Sequence, residues 1–198
     1  MKNLILLFAA AVLAGQSVVA DEKLIADPIV EKAIREKIKK PAGELTKADY
    51  KKVTRLSLLG NQLTEVPKGL ENLTQLTNLE LTFNKLTSVK GLETLTQLES
   101  LHLPHNKLTD VKGLENLTQL KELPLDDNQL TDVKGLEKLT QLEGLWLPRN
   151  QLTDVKGLEK LTRLTELDLI DNPDLTKAQI DQLQEALPKC IIKSNPTK

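Results

Sequence analysis

Residues 120–141, LKELPLDDNQLTDVKGLEKLTQ, decide the fold of this chain because near-copies lie on both sides of them. Close copies occupy residues 76–97, 98–119 and 142–163, with a looser first copy at 53–75 and a partial last copy from 164. One asparagine recurs in every copy, with a spacing of 23 residues once and 22 residues thereafter. Similarity at a fixed period indicates a repeat architecture in which each copy forms one structural unit.

Within one copy, the apolar residues predict a short strand followed by a tight return leg. Leu123, Pro124 and Leu125 alternate between the two sides of an extended chain, which is the period of a strand. From Leu130 the apolar residues are three apart, a spacing typical of a 3₁₀-like path. One copy cannot bury its apolar stripe alone, so the copies must stack. We therefore predict an α/β solenoid with a parallel β-sheet on its concave face.

The pattern LxxLxLxxNxLTDVKGLExLTQ resembles the 22-residue leucine-rich repeats of exported bacterial proteins, including the internalins. The resemblance covers residues 53–172 and extends to both flanks. It implies a leucine-rich repeat solenoid with helical caps at both ends. It also implies a binding role, although such scaffolds host many different partners.

The asparagine of each copy lies where the strand turns into the return leg. Buried backbone groups lose their sheet partners there and must find others. An inward-pointing asparagine offers two donors and an acceptor, so it can serve its own turn and the next. We interpret this column, the asparagine ladder, as structural: Asn61, Asn84, Asn106, Asn128, Asn150 and Asn172.

The N-terminus is typical of a secretory signal peptide. Lys2 provides the positive start, residues 4–13 a short apolar run, and residues 18–20 a small-residue cleavage site. The apolar run is too short for a membrane-spanning helix, and Gln16 stands where a lipoprotein signal needs cysteine. We expect export to the periplasm or the medium after cleavage near Ala20, with no stable membrane anchor.

Helical caps are predicted on both flanks of the repeats. Asp27 is a suitable N-cap for a helix that continues to about Lys39. Thr46 and Thr176 each begin a capping-box pattern. The predicted organisation is a signal peptide at residues 1–20, an N-terminal cap at 21–52, repeats at 53–172 and a C-terminal cap at 173–198.

Cys190 is the only cysteine, so the chain cannot form an internal disulfide. It is either a reactive thiol or a small buried hydrophobe, and the general burial of free cysteines favours the second.

Three outward positions of the predicted strand vary between copies, whereas the return leg hardly changes. The fifth position reads Ser57, Glu80, His102, Pro124, Trp146 and Asp168. The seventh reads Leu59, Thr82, Pro104, Asp126, Pro148 and Ile170. The eighth reads Gly60, Phe83, His105, Asp127, Arg149 and Asp171. Neighbouring members of a column lie about 4.8 Å apart in a parallel sheet, so together they form one surface, the concave face.

This concave face is the predicted binding site for a protein partner. Exposed aromatic residues rarely persist on a surface without a role, and an exposed Trp146 beside Arg149 has the composition of a binding hot spot. The alternative interpretation is that outward positions drift because nothing packs on them. The candidate residues are Glu80, Phe83, His102, His105, Asp126, Asp127, Trp146, Arg149 and Asp168.

Other functions are less well supported. His102 and His105, with Glu80 and Asp127 in adjacent columns, could form a weak metal site, but their spacing matches no known metal motif. A glycan-binding or adhesive surface is a further alternative. The chain shows no nucleophile–base pair and no phosphate loop, so we predict a monomeric non-enzyme without a cofactor. With 27 basic and 28 acidic residues, it has no positive excess to favour nucleic acid.

Two local features give separate predictions. Pro124 lies in the middle of a strand, where it removes a donor, so we predict one missing strand–strand hydrogen bond there. Pro104 and Pro148 lie nearer the strand ends and should be accommodated more easily. On the return leg, Lys134 and Glu137 are spaced for weak surface ion pairs.

Overall fold

The computed structural model describes residues 25–195 and contains one parallel sheet of seven strands in chain order. Each strand is three residues long and contributes one inward residue between two outward ones. The strands are β1 (Arg55–Ser57), β2 (Asn78–Glu80), β3 (Ser100–His102), β4 (Glu122–Pro124), β5 (Gly144–Trp146), β6 (Glu166–Asp168) and β7 (Ile191–Lys193). The predicted solenoid with a parallel sheet is confirmed.

Two helices precede β1 and a third lies between β6 and β7, and 3₁₀ turns form two of the return legs. Helix α1 spans Pro28–Ile38, α2 spans Lys47–Tyr50 and α3 spans Lys177–Ala186, with 3₁₀ turns at Leu70–Asn72 and Leu158–Lys160. The Asp27 carboxylate accepts hydrogen bonds from the first backbone N–H groups of α1, at 2.8 and 3.1 Å. Thr46 and Thr176 both form the expected capping boxes at the starts of α2 and α3.

The repeat leucines form one continuous core between the sheet and the return legs. In the deciding stretch, six leucines are completely buried and Val133 is 2% exposed. Strand middles are occupied by leucine throughout the repeats: Leu56, Leu79, Leu101, Leu123, Leu145 and Leu167. Because inward and outward residues alternate along each strand, this packing directs the fifth position of every repeat away from the core.

The asparagine ladder is structural, but its hydrogen bonds reach back along the chain. The Asn128 amide nitrogen donates to Leu125 O of its own turn at 3.0 Å and to Leu103 O of the preceding repeat at 3.1 Å. Its Oδ1 accepts from Leu108 N at 3.0 Å, also in the preceding repeat. We expected each asparagine to bond its own turn and that of the following repeat. This is wrong, because the second set of bonds goes to the preceding repeat. The same geometry recurs at Asn84, Asn106, Asn150 and Asn172.

Asn61 is the exception to the ladder. It is exposed, and its side chain donates only to Leu59 O, at 3.2 Å, among the contacts of the described residues. The ladder bonds join a repeat to the one before it, and no repeat precedes the first. Including Asn61 in the structural ladder is therefore wrong.

The return-leg glutamates bind the backbone instead of the lysines. Glu137 Oε2 accepts from the Gly135 N–H at 2.7 Å, and the glycine has a φ of 101°. Glu71, Glu93, Glu115 and Glu159 make the equivalent bond to the glycine two residues earlier. The predicted Lys134–Glu137 ion pair is wrong, since Lys134 Nζ contacts Asp132 at 3.1 Å. The glutamate column is part of the turn.

Pro124 breaks the sheet ladder on one side only. Strands β3 and β4 share a single registered pair, Ser100 with Glu122, whereas each other neighbouring pair of strands shares three. The Pro124 carbonyl still accepts from Leu103 N at 3.0 Å, so the strands remain adjacent. Only the bond that needs an N–H at Pro124 is missing, as predicted. Pro104 and Pro148 also accept strand bonds through their carbonyls.

The predicted signal peptide, residues 1–20, lies outside the described residues. Within 25–195, no helix is both long enough and apolar enough to cross a membrane. Cys190 is buried, as the second interpretation predicted, and burial is the main cause that raises the pKa of its thiol.

Candidate functional site

The fifth-position column forms a row across the concave face. Glu80 lies beside His102 in the register of β2 and β3. Pro124, Trp146 and Asp168 are aligned across β4, β5 and β6. The strand packing therefore brings the predicted residues of this column together, with the break at Pro124 between its two halves.

These side chains are only partly open to solvent. Half-buried members of the candidate site are Glu80, His102, Asp126, Asp127, Trp146 and Asp168. Phe83, His105 and Arg149 are exposed, and Phe83 is the most open of them, at 59%. The concave face is thus accessible mainly along its eighth-position column.

The eighth-position residues form a second row with direct side-chain contacts. The rings of Phe83 and His105 are stacked, with centroids 4.2 Å apart and an interplanar angle of 6°. His105 Nδ1 lies 3.3 Å from the Asp127 carboxylate, which also accepts two hydrogen bonds from Arg149, at 2.7 and 2.5 Å. An aromatic pair and an ion pair are thereby joined into one contact chain along the sheet.

The backbone of this row is left-handed at every position. Values of φ are 55° at Phe83, 54° at His105, 51° at Asp127 and 53° at Arg149. Among residues other than glycine, asparagine, aspartate and histidine adopt this conformation most readily, and it costs most other residues roughly 1–2 kcal/mol each. Phe83 and Arg149 thus occupy the row despite a backbone preference against them, and strained conformations of this kind cluster at functional sites.

Adjacent acids of the concave face have opposite electrostatic environments. Hydrogen bonds from Arg149 lower the pKa of Asp127. Burial raises the pKa of Asp126, and the nearby charges of Asp127 and Asp168 raise it further, against the opposing effect of Arg149. In residues 25–195, neither Asp126 nor Asp168 forms an ion pair. Asp126 and Asp168 therefore contribute negative charge to the concave face that no cation of residues 25–195 pairs with.

Trp146 is less open than the sequence predicts. A Cβ atom added at Gly144 would lie 2.2 Å from the end of the Trp146 ring, so the indole lies flat over this glycine. A hydrogen bond from Trp146 is also one of the causes that lower the pKa of Glu166, after the larger effect of Lys193. Trp146 is half-buried, so the expectation of an exposed Trp146 beside Arg149 is wrong. The sequence signal that could have predicted this burial is Gly144, since no other repeat has glycine at its third position.

The two histidines belong to different contacts. His102 lies between the Ser100 hydroxyl, 2.9 Å from Nε2, and the Glu80 carboxylate, 3.5 Å from Nδ1. His105 instead contacts Phe83 and Asp127 in the other row. In the described part of the chain, no group of three or more His, Cys, Asp or Glu side chains is arranged to hold a metal ion.

Comparison with protein families and solved structures agrees with this architecture. Residues 96–138 and 140–185 match the family model described as leucine-rich repeats, two copies. No curated protein gives a significant sequence match to the chain.

Several internalins are similar in structure. The internalin InlF of Listeria monocytogenes is 24% identical, with a TM-score of 0.69, and the alignment covers 89% of this chain and 58% of that one. InlC2 of the same organism is 28% identical, with a TM-score of 0.65 and coverages of 85% and 83%. The functional domain of its InlJ is 26% identical, with a TM-score of 0.75 and coverages of 88% and 37%.

The chain thus spans 58% of the InlF structure and 37% of the InlJ structure. What it shares with them is the stacked repeat, including the parallel sheet and the leucine core. The chain is therefore an internalin-like leucine-rich repeat protein.

Proposed function

We propose that the chain is a non-catalytic binding module that recognises a protein partner on its concave face. The observation that supports this most strongly is the row of Phe83, His105, Asp127 and Arg149. These residues are held in left-handed backbone, and the aromatic ring at its start is 59% exposed. A surface with no role would be expected to relax toward glycine or asparagine at these positions.

The composition of the face fits a protein partner. Aromatic and arginine side chains are enriched in the centres of protein interfaces, where they contribute most of the affinity. Phe83 and Trp146 provide the aromatic groups here, and Arg149 lies between two acids of the same face. The leucine-rich repeat fold is typical of protein-interaction modules, which agrees with this assignment.

We further propose that the protein is exported and works as a monomer outside the cytoplasm. The signal-peptide pattern of residues 1–20 supports export. Mass spectrometry of the protein recovered from cell fractions tests this directly. A mature N-terminus at Asp21 in the periplasm or medium is expected, and an intact Met1 in the cytoplasm would contradict it.

Site-directed photo-crosslinking tests the binding face. Benzoyl-phenylalanine replaces Phe83 on the concave face and, as the matched control, Thr140, which is exposed on a return leg. Both variants of the full chain are incubated with an envelope extract and irradiated. A discrete crosslinked protein from position 83 and none from position 140 is expected. Equal labelling from both positions would contradict a concave binding face.

A further inference from the structure

Helix α1 and the first three strands enclose a cleft at the N-terminal end of the concave face. Its volume is about 520 Å³, and its lining includes Lys37 from α1 together with Arg55, Ser57, Asn78, Glu80 and His102 from the sheet. The helix forms one wall, and the leucine-backed strands form the floor. Both the strands and a helix supply polar side chains to this N-terminal cleft.

Arg55 differs from the other cations of this face because it has no partner. Lys121, Arg149 and Lys193 all form ion pairs, with distances of 2.7, 2.5 and 2.6 Å to Glu99, Asp127 and Glu166. Arg163, at the edge of the face, is 3.2 Å from Glu143.

The side chains of Arg55 and of Lys37, which lies across the cleft, form no hydrogen bond or ion pair with any residue of 25–195. The first strand has no preceding repeat to provide a carboxylate, and its neighbour in the register of β2 is the neutral Asn78. The position of Arg55 at the end of the sheet thus leaves its guanidinium free.

The acids around the cleft are already engaged. Glu80 Oε1 accepts from the Thr82 N–H at 2.8 Å, and its Oε2 faces His102 at 3.5 Å. Glu36, which also lines the cleft, lies 3.9 Å from Lys32. The cleft therefore contains two cations without partners and two carboxylates with partners, which gives it a preference for a negatively charged ligand.

The polar groups beside Arg55 suit a carboxylate. Arginine binds carboxylates through two parallel N–H bonds, and these are among the stronger hydrogen bonds in proteins. In the register of the sheet, Asn78 lies directly beside Arg55, and its Oδ1 accepts from the Thr77 hydroxyl at 3.0 Å. The Asn78 amide therefore places a further polar group, one that carries an NH₂ donor, next to the guanidinium.

We propose that the N-terminal cleft binds side-chain carboxylates of an acidic, extended segment of a partner protein, with Arg55 as the principal contact and Lys37 as a second positive charge. Low-dielectric walls concentrate the field of charges in a cleft, so this site attracts acids more strongly than the exposed lysines of the return legs. The inference rests on the proposed function, because the cleft belongs to the concave face, and it specifies the chemistry of the partner at this end.

The probe is a blocked tetraglutamate peptide, acetylated and amidated so that only side-chain carboxylates are charged. The full chain, labelled with ¹⁵N, is titrated with it at low salt, and tetraglutamine with the same blocked ends serves as the neutral control. Saturable shifts of the Arg55 side-chain Nε–H, the Asn78 amide and the backbone of β1 and β2 are expected with the acidic peptide only.

Charge-removing variants locate the site. Arg55→Gln should weaken tetraglutamate binding by at least about five-fold, as expected for loss of a hydrogen bond between charged groups. Arg163→Gln changes the net charge equally at the other end of the face, and it should change the affinity by less than about two-fold because this arginine is already paired. Arg55 is exposed, so an unchanged spectrum outside the cleft verifies that the variant is folded.

Three results would overturn the inference: no saturable shifts, equal binding of tetraglutamine, or equal weakening by Arg55→Gln and Arg163→Gln. The inference and the proposed function can fail separately. Crosslinking from position 83 without peptide binding would contradict only the proposed carboxylate site. Peptide binding with equal crosslinking from positions 83 and 140 would contradict only the proposed protein-binding face.

Discussion

The inward and outward columns of this solenoid come from the same strands but differ in how they are held. Inward positions repeat one residue type with one geometry, as the leucines of the strand middles and the five ladder asparagines show. Outward positions vary between repeats, and their contacts are individual: a ring stack at Phe83, an ion pair at Asp127 and a glycine beneath the end of the Trp146 ring. Stability is therefore expected to reside in the inward columns, and the outward columns are free to specify a partner.

The largest effect should come from removing a ladder asparagine. Asn128→Ala leaves the buried Leu108 N–H without its side-chain acceptor. It also removes one of the two ladder bonds to each of the Leu103 and Leu125 carbonyls, which still accept from Asn106 and Asn150. A buried N–H left without a hydrogen bond costs about 1–3 kcal/mol and each further bond lost costs about 0.5–1.5 kcal/mol, so the free energy of unfolding should fall by at least about 2 kcal/mol. Urea denaturation measures the change.

Asn61→Ala is the matched control for this substitution. Asn61 is exposed and makes no ladder bond, so its loss should change the free energy of unfolding by less than about 0.5 kcal/mol. Equal destabilisation by the two variants would show that the ladder does not depend on contact with a preceding repeat.

A smaller effect is expected at the break in the sheet. Pro124→Thr restores an N–H donor toward β3, whereas Pro104→Thr restores one at a position where the chain has left the strand. Both changes remove the same conformational restriction from the unfolded chain. Pro124→Thr should therefore be more stable than Pro104→Thr by about 1 kcal/mol, the contribution of one hydrogen bond.

Thermal unfolding compares the two proline variants, and hydrogen exchange of the new amide at position 124 provides an independent check. A protected amide is expected at 124. Rapid exchange there, with no difference in stability, would mean that the gap between β3 and β4 has another cause.

The left-handed row offers a test in the outward columns. Phe83 has a φ of 55°, which glycine adopts without strain and alanine does not. Phe83→Gly should therefore be more stable than Phe83→Ala by about 1 kcal/mol, although both lose the same stack with His105. Denaturant unfolding of the two variants side by side measures this difference. If Phe83→Ala were the more stable variant, the backbone at position 83 would not be strained.

The smallest effects should come from the neighbouring acids, and they should have opposite signs. Arg149 lowers the pKa of Asp127, so this group stabilises the fold above the unfolded pKa of about 3.9, and the contribution is lost as the pH falls through the lower folded value. Arg149→Gln should remove this acid dependence, with a loss near neutral pH of roughly 0.2–1 kcal/mol because the pair is largely exposed.

Asp126 has a raised pKa, chiefly through burial, so its favourable contribution is present at low pH and is lost as the pH rises through the folded pKa. Asp126→Asn should therefore slightly increase stability at neutral pH. Unfolding curves across the acid range compare this variant with Arg149→Gln. A decrease in stability for Asp126→Asn at neutral pH would contradict the assigned environment.

The features that could be predicted from sequence depend on local spacing. The period of the leucines specifies strand, turn and return leg, and the capping boxes at Thr46 and Thr176 are complete within four residues. The gap at Pro124 follows from the missing N–H alone. Each of these needs only the residue type and its place in the repeat.

The features that could not be predicted depend on neighbours that are distant or absent in the sequence. The direction of the ladder bonds, and the exclusion of Asn61 from them, depend on which repeat lies on each side. Trp146 is half-buried because Gly144, on the same strand, has no side chain and leaves room for the end of the indole ring. The N-terminal cleft exists because α1 packs beside Arg55, and the periodic pattern does not include that helix.

The affinity of Trp146→Ala for the partner captured from position 83 tests the central claim most directly. An outward residue at the centre of the binding face should contribute to binding, so the variant, verified as folded by circular dichroism, should lose more than about 1 kcal/mol of binding free energy. An unchanged affinity in the folded variant would contradict the assignment of recognition to the concave face.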